Sequence, residues 1–470
     1  MHFSRLRTGL TSLVFGAAVA VAGAPALLAD NLADALVGAY NTSGLLEQNR
    51  AVLRAADEDV AIAVSALRPV LSWQAGLERN FGESRIQGRI SDNNSTQASL
   101  ALSLELLLFD SGASRFNIQS TKETVLATRA GLVSIEQAIL QRAVDAYMTV
   151  IRESEFVALR QNNVRLITQE LRAAQDRFEV GEVTRTDVAL AESRLAEARS
   201  NLATAQGNLV NAQEEYLNAV GRRPGRLSPP PSLPARPASI DAAKAVAVRT
   251  HPDIKQAQHQ VAAAELLVLQ AEASMGPSVS LRGSYALSET FNSSDNSDIG
   301  SLSLELSQPI YQGGRLAASL RRAMANRDNT RANLLEIQER VTQEVTGAFV
   351  RLDVAQANIQ ATDRQIRAAD VAFRGVREEA TLGARTTLDV LDAEQELLDA
   401  RAARISAQAD LYSAAYQLLA AQGLLTAQNL RLAVKIYDPT EYYNLVKDAP
   451  AYRSQRGQKL DRVLRALNKD

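Results

Sequence analysis

The sequence predicts a mixed α and membrane β fold, in which each chain carries two tandem repeats of helix, β-hairpin, long helix and second helix. Val390 lies 202 positions after Val188, and the same seven-residue apolar period continues from both residues. Before each periodic segment, apolar and polar residues alternate one by one, as they do in strands with one buried face. A duplication of this length predicts two halves of one architecture rather than unrelated domains.

Residues 1–29 predict a secretory signal peptide that is removed from the mature protein. Arg5 and Arg7 precede an apolar run from Leu10 to about Ala22, and small residues follow it. A charged start, a short apolar run and a small-residue exit are typical of such peptides. We expect cleavage after Ala29. The alternative is an uncleaved anchor, for which the apolar run is short.

Composition excludes several functional classes. The chain has 470 residues, a formal net charge of −2 and no cysteine. A nearly neutral chain has no general affinity for nucleic acid, and the missing thiols exclude disulfides, thiolate catalysis and cysteine-based metal sites. We expect His251 at a helix start and His259 on the surface, and therefore no metal site. No phosphate-binding loop or nucleophile–base pair occurs, so we expect no cofactor and no enzymatic activity.

The first repeat is predicted over residues 30–221. Its first helix covers 32–66 and ends before Pro69, because proline disfavours helical geometry in the preceding residue. A polar stretch around 91–95 is expected to form the hairpin loop. The remaining elements are strands at about 70–84 and 97–110 and long helices at 113–180 and 184–220.

The second repeat is predicted over residues 239–424, after a proline-rich linker at 222–238. Gly112 in the first repeat, and Gly313 and Gly314 in the second, mark strand-to-helix turns, where glycine frees the backbone to change direction. The remaining elements are a helix from about Ile240, strands at about 278–289 and 299–311, long helices at 315–382 and 386–423, and a C-terminal equatorial segment with a loose polar tail at 425–470.

The helices predict the wall of a tube. A strict seven-residue period keeps an apolar seam against a neighbouring helix in a left-handed supercoil. The helix at 113–180 carries two such stripes on different sides, which indicates packing between two neighbours. Small residues also recur on a seven-residue period, three positions after the main seam, and let backbones approach closely: Ala191, Ala198, Ala205, Ala212 and Ala219, then Ala393, Ala400, Ala407, Ala414 and Ala421.

The strands are long enough to cross a membrane when tilted. After the signal peptide no run of about 20 apolar residues appears, so a membrane-crossing part would have to be a β-barrel. Two hairpins per chain are too few to close a barrel, and an open sheet edge cannot face lipid. Several chains must therefore pool their strands, and three copies of four strands would give twelve, an even number, as in bacterial barrels.

Three segments resemble the TolC family of outer-membrane efflux and secretion channels. The most specific is GARTTLDVLDA, residues 383–393, which looks like the family's second periplasmic helix turn, followed by QPIYQGGR, residues 308–315. Tyr437-Asp438-Pro439 looks like the variant that serves type I protein secretion. The resemblance covers essentially the whole mature chain. It implies a homotrimer whose twelve-stranded outer-membrane barrel continues as a periplasmic tunnel of twelve helices.

Matched residue by residue, the resemblance implies roles at the periplasmic entrance of such a tunnel. Asp389 and Asp392 fall on two acidic positions that ring the entrance, and a carboxylate ring favours cations. Arg385, Thr186 and Asp187 fall on positions whose links between helices hold the entrance shut. The alternative is structural, since Asp187 and Asp389 could cap their helices and Arg385 could be a solvated turn charge.

The same match assigns the helix turns. Gly181 and Gly383 are conformational glycines in the turns where, in the family, the helical hairpins of an adaptor dock. One position departs from the pattern, because this chain has Ala380 where the resembled channel has tyrosine. The latch could therefore be weaker here, or use Arg185 or Arg377 instead.

Together these features predict a passive exit duct for efflux, type I protein secretion or both, in the outer membrane and extending into the periplasm. The resemblance implies a periplasmic adaptor and an inner-membrane pump of ABC or RND type as partners, with outer-membrane lipid around the barrel. The pump supplies energy, and an iris-like movement of the helix tips opens the duct. The alternative is a periplasmic coiled-coil adaptor or scaffold that does not span the membrane, although adaptors usually carry one helical hairpin.

Overall fold

The computed structural model describes residues 30–92, 94–291 and 293–467, and the predicted signal peptide lies outside them. None of the helices in these ranges is both long and apolar enough to cross a membrane. In chain order the elements are α1 (Leu32–Thr42), α2 (Gly44–Ser65), β1 (Val70–Asn80), β2 (Glu83–Ile86), β3 (Arg89–Asp92), β4 (Ser95–Phe109), α3 (Ala113–Glu179), α4 (Arg185–Val220), α5 (Ile240–Thr250), α6 (Pro252–Ala273), β5 (Ser278–Phe291), β6 (Asn296–Ser307), α7 (Arg315–Thr381), α8 (Thr387–Ala421), α9 (Pro439–Val446) and α10 (Gln455–Leu467).

Element lengths show the two repeats directly. Helices α3 and α7 are both 67 residues long and begin 202 positions apart, at Ala113 and Arg315. Helices α2 and α6 are both 22 residues long but begin 208 positions apart, at Gly44 and Pro252. The difference arises in the hairpins, because the first one carries an additional small hairpin of β2 and β3 at its tip.

The single helix predicted over 32–66 is wrong, since two helices meet there at Ser43. The hydroxyl of Ser43 accepts a hydrogen bond from the backbone N–H of Leu46 at 3.3 Å and so caps a new helix. His251 has the same role in the second repeat, where its Nδ1 accepts from the N–H of Asp253 at 3.2 Å. Pro252 occupies the first helical position, where it needs no hydrogen-bond donor.

The two hairpins form one antiparallel sheet in the order β1–β4–β5–β6. Its tips and ends differ from the predicted strands. Strand β1 already ends at Asn80, and part of the stretch predicted as a loop at 91–95 is strand, because β3 continues to Asp92. In the second hairpin β6 ends at Ser307, short of the predicted 311, since Pro309 has no N–H to donate to a neighbouring strand.

The sheet has one apolar face and one polar face across all four strands. A row on the apolar face runs through Trp73, Leu102, Tyr285 and Gly300. On the opposite face a row of serines crosses the sheet, with hydroxyl oxygens 2.6 Å apart between β1 and β4 and 2.8 Å apart between β5 and β6. The apolar side chains are largely uncovered, since Trp73 is 71% exposed and Leu302 in β6 is 74% exposed.

The long helices pack as two antiparallel pairs, α3 with α4 and α7 with α8, and α3 also packs against α8. Most alanines of the predicted seams are buried, including Ala198 and Ala400. The largest core lies near the middle of α3, where α1 and the end of α4 meet it. There Tyr147 is fully buried, and its hydroxyl donates to the carbonyl oxygen of Ser228 at 2.7 Å.

The loose tail predicted for about the last 25 residues is wrong over Gln455–Leu467, where α10 forms, while α9 lies in the predicted equatorial segment before it. The carboxylate of Asp438 accepts a hydrogen bond from the N–H of Thr440 at 2.8 Å, and Pro439 is the first residue of α9. Helix α9 then packs on α2, where the hydroxyl of Tyr442 donates to Glu58 at 2.6 Å. Helix α9 therefore belongs to the packed middle of the chain.

Candidate functional site

Both pairs of long helices end in a glycine turn, and the two turns lie side by side. Gly181 and Gly383 have φ of +81° and +77°, a left-handed conformation that suits glycine. A Cβ at either position would meet no atom within 4 Å. The requirement for glycine is therefore conformational, and the surface of each turn is open in the described chain.

Each turn leads into a helix that begins with a reciprocal pair of hydrogen bonds, known as a capping box. In α4 the N–H of Thr184 donates to the carboxylate of Asp187 at 2.9 Å, while the hydroxyl of Thr184 accepts from the N–H of Asp187 at 3.3 Å. Thr386 and Asp389 repeat this arrangement at the start of α8. Hydrogen bonds from the threonines hold the pKa of both aspartates below the usual value, so both stay charged at neutral pH.

One cleft of about 540 Å³ separates the two turns and is lined by both of them. Asp187, Ala380, Gly383 and Arg385 are among its lining residues, whereas Thr186 is exposed beside it. The guanidinium of Arg385 donates from Nε to Glu379 at 2.8 Å. Within one chain, Arg385 is therefore paired inside its own turn, and its predicted link to a neighbouring helix stays a prediction.

Asp392 lies one turn further along α8 and contacts a residue that the sequence does not single out. Its carboxylate accepts a hydrogen bond from Nη2 of Arg194, on α4, at 2.9 Å. Arg194 also pairs with Glu197 at 3.2 Å on its own helix. Asp392 remains 57% exposed, so its carboxylate contacts solvent as well as Arg194.

A second ion pair joins the hairpins near Ala380. Arg377, on α7, lies 3.5 Å from the carboxylate of Glu170, on α3. Arg377 is one of the two arginines predicted as alternatives for the latch, because this chain has Ala380 where the resembled channel has tyrosine. The other, Arg185, is exposed at the start of α4.

The deepest link between the two hairpins is a buried hydrogen bond. Oε1 of Glu394, on α8, accepts from the side-chain amide of Asn163, on α3, at 3.1 Å. Both residues are buried, and Oε2 of Glu394 has no hydrogen-bond partner among the described residues. Burial raises the pKa of Glu394 to about 7. The sequence did carry a signal, because Glu394 interrupts an apolar stripe of Leu391 and Leu398.

The remaining predicted glycines lie at the other end of the long helices. Gly112 and Gly314 precede α3 and α7 with φ of +93° and +83°, and Gly313 has φ of +59°. The carboxylate of Asp110 accepts from the N–H of Gly112 at 3.1 Å and fixes the first turn. Among the described residues no group of three or more His, Cys, Asp or Glu side chains is placed to hold a metal ion.

Comparison with known proteins gives consistent matches. Residues 39–222 and 246–424 match the family model described as outer membrane efflux protein. The chain is 35% identical over 425 residues to the outer membrane efflux protein BepC of Brucella suis biovar 1 (strain 1330), covering 90% of this chain and 92% of BepC. It is 24% identical over 387 residues to the alkaline protease secretion protein AprF of Pseudomonas aeruginosa, covering 79% of this chain and 80% of AprF.

Among solved structures, CusC is similar to this chain with a TM-score of 0.74 at 18% identity, covering 84% of this chain and 92% of CusC. OprN, an outer-membrane channel, gives a TM-score of 0.71 at 24% identity, covering 83% of this chain and 89% of OprN. At these identities the likeness concerns the fold. It covers most of the length of each chain.

Proposed function

From the premise that this chain belongs to the family of outer membrane efflux proteins, we propose that three copies form one closed duct that serves as a passive exit for efflux or protein secretion. The family places the chain in the outer membrane and gives it the role of a channel rather than that of an adaptor. The proposal adds the trimer, the entrance and the way in which the entrance opens.

The single observation that carries this proposal is the two-faced sheet with two open edges. The apolar face suits lipid, and the serine row suits a water-filled interior. Within the described chain β1 and β6 each pair along one edge only, and an unpaired edge is not tolerated in hydrocarbon. Pairing β6 of one copy with β1 of the next removes every edge, and three copies give twelve strands.

The helical turns form the narrow entrance in this arrangement. Asp389 and Asp392 from three copies place six carboxylates around the mouth, and the lowered pKa of Asp389 keeps its carboxylates charged. Such a ring attracts cations and opposes anions. Arg385, Thr186 and Asp187 form the latch between neighbouring turns, and the duct opens when the tips move apart like an iris.

The duct works with an inner-membrane pump of the ABC or RND type and a periplasmic adaptor. Energy comes from the pump, and the adaptor docks on the open turns around Gly181 and Gly383. AprF is named for secretion of an alkaline protease, and the Tyr437–Pro439 segment resembles the type I secretion variant. Secreted polypeptides are therefore one class of cargo, beside small molecules expelled by efflux.

Single-channel recording in planar bilayers tests the proposed function. Replacing Asp187 and Arg385 together is expected to raise conductance, because the tips lose their latch, and unchanged conductance would contradict the latch. Replacing Asp389 and Asp392 by asparagine is expected to weaken cation preference and block by multivalent cations. Glu336→Gln, an exposed change on α7 far from the helix turns, is the matched control and should leave both properties unchanged.

A further inference from the structure

Helix α10 combines an apolar face with a basic one. Leu460, Val463 and Leu464 follow the spacing that places side chains on one side of a helix, and each is partly exposed. Arg462 and Arg465 are exposed and lie on the opposite side by the same geometry. The main packing partner of α10 among the described elements is the short helix α9, so its apolar side has little protein to cover it.

The start of α10 is held beside the sheet. Arg68 lies two residues before β1, and its guanidinium donates to the carbonyl oxygens of Asp448 and Ala449. Ala449 has φ of +42°, and the chain changes direction there. Arg456, in the first turn of α10, then pairs with Asp448 at 2.7 Å. These contacts place the beginning of α10 near the end of the sheet where strand meets helix.

The inference rests on the proposed function, in which that end of the sheet lies at the periplasmic boundary of the membrane. A basic amphipathic helix at such a boundary lies in the plane of the interface, with its apolar side among the first acyl groups and its cations among the headgroups. Tyr452 precedes the helix and is 76% exposed, and aromatic residues of this kind favour the same depth.

We propose that α10 lies on the periplasmic leaflet of the outer membrane and binds anionic phospholipid headgroups through Lys459, Arg462 and Arg465. Charge complementarity selects this occupant. Helix α10 carries four basic residues, of which Arg456 pairs with Asp448, and one acidic residue, Asp461. A helix that docks in a purely apolar groove would need no such excess of positive charge. Each basic residue near an anionic surface adds to the attraction.

The proposal can be tested with fluorescent labels, because the chain contains no cysteine. Two single-cysteine variants are labelled with an environment-sensitive dye. One is Leu464→Cys, and the other is Gln458→Cys on the opposite side of α10. The full-length trimer is reconstituted in vesicles of phosphatidylethanolamine with phosphatidylglycerol, or of phosphatidylcholine alone. With phosphatidylglycerol present, the dye at position 464 should shift its emission to shorter wavelength and be quenched by spin-labelled lipid, whereas the dye at 458 should remain in water.

Two further variants separate the possible outcomes. Replacing Lys459, Arg462 and Arg465 by glutamine should abolish the quenching at position 464, as should vesicles of phosphatidylcholine alone. A dye at 464 that is shielded from lipid and water alike, or equally quenched in both vesicle types, would overturn the proposal. A label at Leu304→Cys, on the apolar face of β6, reports on the sheet: quenching there without quenching at 464 overturns only this inference, whereas no quenching at Leu304 contradicts the membrane sheet itself.

Discussion

The carboxylates near the helix turns differ in what holds them. Asp187 and Asp389 are occupied by the backbone N–H groups and hydroxyls of the threonines that begin their helices. Asp392 is held instead by Arg194, which belongs to the other hairpin. Exposed ion pairs of this kind contribute about 0–1 kcal/mol, so this link can break during opening without unfolding either helix.

Arg194→Gln therefore separates the effect of the ion pair between Arg194 and Asp392 from the effect of the negative charge of Asp392. The variant removes the contact between α4 and α8 but leaves the carboxylate of Asp392 in place, so single-channel conductance should rise while cation preference is retained. Asp392→Asn removes both and should lower cation preference as well. Arg199→Gln, an exposed change on the same helix, is the control. Equal loss of cation preference in Arg194→Gln and Asp392→Asn would show that the link has no separate role.

At the scale of elements, the contact between α8 and α3 contains a group that titrates near neutral pH. Burial is the main cause that raises the pKa of Glu394 to about 7, and the nearby charge of Glu170 adds to it. The hydrogen bond from Asn163 and the charge of Arg377 act in the opposite direction. Because the pKa is raised above the ordinary glutamate value of 4.5, folding favours the protonated form of this side chain.

The packing of α8 on α3 should consequently weaken as the pH rises. The contribution of Glu394 is fully present below pH 4.5 and is lost as the pH rises through about 7. Protease cleavage at the helix turns should be slower at pH 5 than at pH 8. Glu394→Gln keeps a partner for Asn163 but cannot ionise, so it should remove much of this difference, whereas the exposed Glu396→Gln should not. A wild-type cleavage rate independent of pH would contradict the argument.

Some of these elements could be predicted from the sequence, and others could not. The long helices and alternating strands follow from local periodicity, and Glu394 stands out within an apolar stripe. The pairing of Arg194 with Asp392 depends on the rotation and axial offset of two helices, which the seven-residue period does not determine. The sequence does not indicate the helix break at Ser43, because a serine is also compatible with a helix interior and only its capping bond in the structure shows the difference.

At the scale of the whole molecule, the interface between the two repeats forms once inside each chain. The equivalent surfaces on the outer sides of the two repeats are left uncovered by the rest of the described chain. Helix α3 of the first repeat packs against α8 of the second. The equivalent surfaces of α7 and α4 make no comparable contact within the described chain. Strands β4 and β5 pair, while β1 and β6 remain at the edges. A ring of copies would cover these surfaces and edges with the geometry already present inside each chain.

This symmetry predicts a specific contact between copies. Glu192 and Gln365 lie 202 positions from Glu394 and Asn163 respectively, and both are exposed in the single chain. We expect Glu192 of one copy to meet Gln365 of the next. Cysteines at these two positions should give covalent trimers with a short bifunctional cross-linker, whereas cysteines at 163 and 394 should cross-link within one chain. Cross-linking of 192 with 365 only inside single chains would argue against the ring.

Among the residues that the structure describes, the small hairpin of β2 and β3 has no counterpart in the second repeat, and this asymmetry reaches the cell exterior in the proposed ring. Three β2–β3 hairpins would project around the outer mouth and alternate with the three shorter turns between β5 and β6, although the wall beneath has nearly six-fold symmetry. A molecule that approaches the proposed ring from outside would then meet a surface with three-fold rather than six-fold symmetry. Deleting β2 and β3 should change the outer surface of the mouth without altering the lumen below.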